Sequence, residues 1–108
     1  MMIKISVFIP SSHLELVKQA MFTAGAGKIG DYDCCSWQTL GIGQFRPLAN
    51  ATPFIGEASG GIETVEEYKV EMVCEKSLAK SVITAMRKAH PYEEPAFDVI
   101  ALIDIENE

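Results

Sequence analysis

Apolar residues at every second position mark three stretches of the chain, residues 3–9, 64–75 and 97–103. A period of two is typical of a β-strand, because successive side chains point to opposite faces of the sheet. The faces predicted to be buried are formed, in turn, by Ile3, Ile5, Val7 and Ile9; by Tyr68, Val70, Met72 and Cys74; and by Phe97, Val99, Ala101 and Ile103.

Two other stretches carry apolar residues three and four positions apart, which is the period of an amphipathic helix. The first helix is predicted to begin at Ser12, in a capping box with the glutamate three residues later, and to end at Gly25. The second is predicted to begin with Ser77 as its cap and to end at His90, because Pro91 cannot continue a helix. The two apolar stripes are Leu14, Val17, Met21 and Ala24, and Leu78, Val82, Ala85, Met86 and Ala89.

The remaining segments complete the order of elements. Residues 34–45 are rich in β-branched and aromatic residues but contain Gly41 and Gly43, so they are predicted to form a bent or bulged strand. Residues 46–61 have no sustained period and are predicted to be a long connection. Two β-α-β units of this size predict an α+β, ferredoxin-like βαββαβ sandwich, an antiparallel four-stranded sheet with both helices on one face. A chain of 108 residues is the length of one domain, residues 1–108.

The reverse face of this sheet is predicted to contain Phe8, Val73, Ile100 and Leu102, which are too apolar for a surface open to water. Burial against copies of the same chain would explain them. The sequence therefore predicts a homo-oligomer.

Charge and cysteine content narrow the classes of partner and compartment. Nine basic residues are scattered among fifteen acidic ones, giving a net charge of −6, whereas nucleic-acid binding needs a clustered basic surface. The apolar run at the N-terminus stops at Pro10, and no later stretch approaches the length of a membrane helix. Three cysteines, an odd number, suit a reducing compartment. We expect no nucleic-acid partner, no membrane contact and a cytoplasmic location.

Residues 25–30 match the dinucleotide-binding pattern G-x-G-x-x-G through Gly25, Gly27 and Gly30. That pattern requires a strand before it and a helix after it, whereas here a helix comes first and strand-like sequence follows. The glycines are therefore predicted to let the chain leave the helix with positive φ and pass close to another backbone segment. Phosphate binding is the alternative.

The segment from His90 to Pro95, which we call the proline corner, joins the second helix to the last strand. Between its two prolines lie Tyr92, Glu93 and Glu94. Imidazole and carboxylate groups held on a stiff corner could bind zinc, copper or a polar ligand. In the alternative interpretation, His90 bonds the last helix carbonyls, the tyrosine packs, and the glutamates are solvated or paired across an interface.

The cysteines, serines and histidines elsewhere in the sequence give little indication of a metal site or of a catalytic site. Cys34 and Cys35 should lie on opposite faces of a strand, so both can bind one ion only at a bulge, and a structural role is favoured. The serines and the two histidines do not form a pattern typical of Ser-His-Asp catalysis.

Several strings taken together resemble a known family. They are residues 25–30, Tyr32, residues 35–37, Gly41, residues 43–47, Pro53, residues 55–56, and the string from His90 to Asp98 that begins H-P-Y-E-E-P. They resemble the PII-like or CutA-like domain inserted in YqfO, a branch of the NGG-interacting-factor-three family. The resemblance implies assembly through the sheets, commonly as trimers, with ligands or metals at subunit edges. It does not imply catalysis, and the metal site of the larger family lies in flanking halves that the resemblance does not cover.

These observations lead to three hypotheses. The first is a non-enzymatic regulatory or ligand-sensing oligomer, favoured as a trimer with a dimer as the alternative. Its subunit clefts, lined by the glycine turn of residues 25–30, the proline corner and the long connection, would bind a small molecule or metal. The second is a CutA-like protein that binds a divalent metal as its cofactor, and the third is a small enzyme. The ligand-binding candidates are Gly25, Gly27, Gly30, Tyr32, Trp37, His90, Tyr92, Glu93 and Glu94, and the metal-ligand candidates are His90, Glu93, Glu94 and Cys35.

Overall fold

The chain forms four strands and two helices in the predicted order. The structure, a computed structural model, describes residues 1–107. Its elements are β1 (Met2–Pro10), α1 (Leu14–Thr23), β2 (Trp37–Phe45), β3 (Glu63–Glu75), α2 (Ala79–Ala89) and β4 (Phe97–Ala101). All strand pairs are antiparallel and the sheet order is β2-β3-β1-β4, so the ferredoxin-like βαββαβ prediction is confirmed.

The core lies between one face of the sheet and the two helices. The residues of β1 that the sequence assigns to the inner face are buried, as are those of β3 apart from the half-buried Tyr68, and they pack against the apolar stripes of α1 and α2. The face of β4 that was predicted to be buried is not, since Phe97 is only half-buried and Val99 is 44% exposed. Each fully buried aliphatic side chain contributes about 1.5–3 kcal/mol relative to an exposed one. The most deeply buried large residues are Ile5, Val7, Ile9, Val17, Met21, Val70, Val82 and Met86.

Both predicted helix caps are wrong. A 3-10 turn, Ser11–His13, precedes α1, and another, Lys76–Leu78, precedes α2. The helices therefore begin at Leu14 and Ala79, and no side chain caps either one. The Ser12 hydroxyl lies 2.8 Å from Nδ1 of its neighbour His13 instead of bonding a helix N–H. Tight turns at the ends of β1 and β3 thus take the place of the caps.

Two strands differ in extent from the predictions. Strand β2 begins at Trp37, and its pairing with β3 runs without a bulge from Trp37 opposite Glu71 to Phe45 opposite Glu63. Strand β4 ends at Ala101, before the predicted end at Ile103. Residues 46–62 form the long connection, without a helix or strand of their own.

The reverse face of the sheet is partly covered. Phe8, Val73 and Leu102 are half-buried, whereas Ile100 is 50% exposed. The register of β1 also defines two ends of the sheet, with Met2 opposite Glu75 at one end and Pro10 opposite Glu67 at the other. At about 3.4 Å per residue these ends are roughly 27 Å apart. Within residues 1–107, no helix is both long and apolar enough to span a membrane.

Candidate functional site

The proline corner is held to the sheet by His90. Its backbone N–H still donates to the Met86 carbonyl at 2.9 Å, but its own backbone is extended (φ −75°, ψ 136°), which ends α2 as predicted. Its ring is 6% exposed. Nε2 lies 2.8 Å from the Phe8 carbonyl oxygen, and Nδ1 accepts the Tyr92 backbone N–H at 3.2 Å. These partners assign the ring proton to Nε2.

The role of His90 therefore differs from the alternative interpretation, in which its ring bonds the last carbonyls of the helix. Its ring bonds a carbonyl of β1 instead of the last carbonyls of α2. Burial lowers the pKa of the imidazole below its usual value, since the charged form is poorly solvated, although the bond to the Phe8 carbonyl opposes this shift. With both ring nitrogens engaged, metal binding by His90 would require the ring to leave this arrangement, and it stays a prediction.

A pocket of about 420 Å³, which we call the corner pocket, lies between the proline corner, the long connection and the reverse face of the sheet. Its volume falls in the range usual for small-molecule sites. Phe8, Phe45 and Glu67 reach it from the sheet, at positions that alternate with the inner face in the strand register. Its other walls include Arg46, Pro47, Leu48, Pro53, Phe54, Tyr92 and Glu94.

Tyr92 occupies the centre of an aromatic group in this pocket. Its ring centroid lies 6.3 Å from those of Phe45 and Phe54, with interplanar angles of 48° and 47°, and 4.8 Å from that of His90. Its hydroxyl donates to Oε2 of Glu67 over 3.5 Å, which is long for a hydrogen bond. Burial, with the nearby Glu67 carboxylate, raises the pKa of the phenol to about 12. Burial also raises the pKa of the Glu67 carboxyl, against the effect of the tyrosine bond.

The long connection is tied to the proline corner by one carboxylate. Glu93 accepts the backbone N–H of Thr52 at 3.0 Å and the Thr52 hydroxyl at 2.9 Å, an arrangement that we call the carboxylate clip. These two bonds lower the pKa of Glu93. Phe54, two residues later, packs edge-on against His13 with ring centroids 5.4 Å apart. The outer wall of the pocket is thereby fixed at two neighbouring points.

The predicted glycine turn lies at the opposite end of the sheet. Gly25, Gly27 and Gly30 all have positive φ (115°, 80° and 55°), as expected for glycines that redirect the chain. The Gly27 N–H donates to the Val73 carbonyl at 2.8 Å and its carbonyl accepts the Cys35 N–H at 2.9 Å. The predicted close approach to another backbone segment is confirmed, and both of its backbone polar groups are bonded within the chain.

The residues predicted to bind a ligand or metal therefore line separate hollows within one copy of the chain. Gly25 and Gly30 line a hollow of about 620 Å³ beside Met2, while Cys35 and Trp37 line another of about 320 Å³. Tyr32 is exposed and pairs with Ile29 in an isolated bridge. A single copy does not bring the glycine turn together with the proline corner and the long connection.

Residues 1–107 contain no group of three or more His, Cys, Asp or Glu side chains placed to hold a metal ion. Cys35 lines a different hollow from Glu93 and Glu94, and Glu93 already accepts two hydrogen bonds. The donor groups predicted for a metal are therefore not assembled in one copy. All three cysteines are free thiols.

Three pocket residues, Phe45, Phe54 and Glu67, and the clip residue Thr52 were not among the site residues predicted from the sequence. In the sequence, Glu67 alternates with the inner-face residues of the strand, and nothing there indicates that a loop would cover it. The structure alone shows that a Cβ at Gly43 would clash with Oε1 of Glu67. Gly43 has no positive φ, so what it provides is space for the Glu67 side chain. Neither Gly41 nor Gly43 marks a bulge, and only Gly43 lies against a neighbouring side chain.

No protein-family model matches the chain. Among curated proteins, the "GTP cyclohydrolase 1 type 2 homolog" of Mycobacterium leprae is 48% identical over 97 residues, and the protein of the same name from Bacillus subtilis is 49% identical over 96. The matches cover 90% and 89% of this chain but only 25% and 26% of those proteins, so the chain spans about a quarter of their length.

Solved structures show the same fold. A Bacillus cereus protein related to NIF3 superimposes with a TM-score of 0.80 at 42% identity, over 95% of this chain and 26% of that one. The divalent cation tolerance protein CutA from Archaeoglobus fulgidus gives 0.67 at 16% identity, over 94% and 84%. The PII-like protein CutA from a Nostoc species gives 0.64 at 16% identity, over 100% and 86%. The chain therefore matches, in sequence and in fold, a segment that makes up about a quarter of these NIF3-related proteins, and it has the same fold as the CutA proteins.

Proposed function

We propose that this domain is a non-enzymatic regulatory or ligand-sensing module that binds a small molecule in the corner pocket. The observation that carries the proposal is the pocket itself, about 420 Å³ with aromatic walls and a few converging polar groups. This combination of apolar walls and few polar groups is typical of ligand sites.

The lining of the pocket favours binding over catalysis. Within residues 1–107, no Ser, Cys, Lys or His side chain lines it, so it offers none of the common nucleophiles or bases apart from carboxylates. Tyr92 keeps its proton at neutral pH because its pKa is raised to about 12. The relatives' name refers to a homologue of GTP cyclohydrolase, and the pocket chemistry gives no independent support for such a reaction here.

We also propose that the domain works as a homo-oligomer, with a trimer favoured. Apolar side chains stay exposed on the sheet of a single copy, among them Trp37 (69%), Ile42 (80%) and Ile100 (50%). β2 and β4 are edge strands, whose free backbone groups can pair with another chain. Light scattering coupled to size exclusion should give a mass three times that of the chain, and a monomer would contradict the proposal.

Binding can be tested by filling the pocket. Ala51 lines the pocket, whereas Ala58 lies exposed in the same connection and does not. Saturation-transfer NMR would be recorded with a defined mixture of nucleosides, nucleotides, amino acids, carboxylic acids and methylated amines. At least one compound should bind the wild type and Ala58→Trp but not Ala51→Trp. Failure of every compound to bind, or equal binding by both variants, would overturn the proposal.

A further inference from the structure

The carboxylate of Glu67 projects from the sheet into the corner pocket with little support from the protein. Among residues 1–107, the long bond from Tyr92 is the one side-chain hydrogen bond that it receives, and no Lys or Arg forms an ion pair with it. Among the described residues, no buried side-chain oxygen lacks a hydrogen-bond partner, so the other oxygen of Glu67, Oε1, is open to solvent in the pocket. This oxygen can accept a donor or face a cation that the protein itself does not supply.

The space around that carboxylate is kept open by glycine. Gly41 stands directly opposite Glu67 in the strand register, and Gly43 lies diagonal to it. Any side chain at Gly43 would collide with the carboxylate, although its backbone does not require glycine. Glycine inside a strand weakens it, so Gly43 indicates that this space is used, whereas a Cβ at Gly41 would meet no atom within 4 Å.

The arrangement of the aromatic rings limits which ligands fit the pocket. A flat ring held between two aromatic side chains needs parallel walls about 7 Å apart, twice the usual carbon–carbon contact of about 3.5 Å. Here Phe45 and Phe54 are tilted by 48° and 47° relative to Tyr92, each with a centroid separation of 6.3 Å. Rings at these separations and angles contact one another, so they leave no slot for a flat ring between them and together form one aromatic wall of the pocket. The negative faces of such rings attract alkylated ammonium groups.

The charge of the pocket points to the same partner. Glu67, Glu93 and Glu94 line it with Arg46 as the one basic side chain among the lining residues that the structure describes. Glu93 is engaged by Thr52, which leaves Glu67 at the aromatic group and Glu94 exposed. The chain as a whole carries −6, so its field favours the approach of cations.

We propose that the corner pocket binds a small organic cation with an alkylated ammonium group, held by the rings of Phe45, Phe54 and Tyr92 and by the carboxylate of Glu67. This inference rests on the proposed function and names the ligand class for that site. The cation supplies the charge that Glu67 lacks, and its methyl groups contact the aromatic faces. No covalent step is involved.

The test uses choline and its uncharged isostere 3,3-dimethylbutan-1-ol, which has the same shape with carbon in place of nitrogen. Calorimetry on the oligomer as purified should show choline binding at least about tenfold tighter than the isostere, since the cation adds attraction to several rings and one carboxylate. In NMR spectra the N-methyl protons should shift upfield on binding, because they lie over ring faces. Equal affinity for the two compounds would overturn the inference.

Matched variants distinguish a loss of the Glu67 carboxylate from a general loss of folding. Glu67→Gln should weaken choline binding by about tenfold while leaving the isostere unchanged. Gly43→Ala should weaken it as well by displacing the Glu67 carboxylate, whereas Gly41→Ala, with no atom within 4 Å of the added Cβ, should bind like the wild type. Unchanged choline binding in Glu67→Gln would refute the role of the carboxylate.

The outcomes also distinguish this inference from the proposed function. If choline does not bind but another compound of the mixture binds the wild type and not Ala51→Trp, the cation inference fails and the ligand-binding function stands. If nothing in the mixture distinguishes Ala51→Trp from Ala58→Trp, both fail.

Discussion

Replacing His90 with glutamine is expected to remove the contribution of this residue to the pH dependence of stability between about pH 5 and pH 7.5. Burial holds the pKa of His90 below the 6.5 that the residue has in the unfolded chain. Above pH 6.5 neither state binds a proton at this residue, and its contribution to stability is fully present. As the pH falls below 6.5, the unfolded chain takes up a proton that the folded protein does not. The free energy of unfolding therefore decreases until the pH reaches the folded-state pKa.

The size of this effect has an upper bound. One proton taken up only by the unfolded state changes the free energy of unfolding by at most about 1.4 kcal/mol per pH unit. His90→Gln should abolish this slope, because glutamine does not titrate. It should also cost about 1–3 kcal/mol at neutral pH, since the bonds to the Phe8 carbonyl and the Tyr92 N–H are lost or distorted.

Urea denaturation at a series of pH values measures both quantities. The range stops near pH 5 because the lowered pKa of Glu93 adds a second contribution below its unfolded value of 4.5. The raised pKa of Glu67 gives a slope of opposite sign above 4.5, which the wild type and both histidine variants share, so the test compares differences between their slopes. His13→Gln is the matched control, as it removes the other histidine and leaves the bond to β1 in place. If His90→Gln kept the wild-type slope while His13→Gln lost it, the assignment of a buried neutral imidazole at His90 would be refuted.

Three other contacts give measurable outcomes. Gly27→Ala should lower the free energy of unfolding by about 1–3 kcal/mol more than Gly30→Ala. Both glycines have positive φ, but only at Gly27 would a Cβ lie 2.9 Å from a backbone carbonyl oxygen. Urea denaturation of the two variants measures the difference. Glu67→Gln should bring the pKa of Tyr92 partway down from about 12, as the charge is removed while burial remains, which ultraviolet titration detects. Thr52→Val should speed amide exchange throughout the long connection relative to Thr52→Ser, since valine lacks the hydroxyl half of the carboxylate clip.

The sheet and the helix stripes could be predicted because each depends on local periodicity. Ile5 and Val70 fall on the inner face for the same reason that they alternate in sequence, and the structure buries both. The starts of the helices were harder to predict from the sequence. The capping-box pattern at Ser12 also fits a 3-10 turn in which the Ser12 hydroxyl hydrogen-bonds the neighbouring imidazole. Pattern alone does not decide between two hydrogen-bond partners of similar strength.

The pocket could be predicted only in part because its contacts join distant parts of the chain. The proline corner was identified from its prolines and polar groups. The partner of His90, however, is a carbonyl 82 residues away, and the partner of Glu93 lies 41 residues away. The glycine at position 43 was interpreted through backbone freedom, whereas its function is to leave volume beside Glu67. Steric room for a neighbour is not encoded in the spacing of a single strand.

The length of the sheet limits how a complete binding cleft can be formed. The glycine turn lies beside Met2, and the corner pocket lies near the Pro10 end of β1. Because roughly 27 Å of strand separates the two ends, no side chain can bridge them within one copy. A cleft that contains both regions must therefore take the glycine turn from one copy and the proline corner from another. If the domain proves to be a monomer, the corner pocket has to bind its ligand without the glycine turn, and substitutions at Gly25 or Gly30 should leave the affinity for choline unchanged.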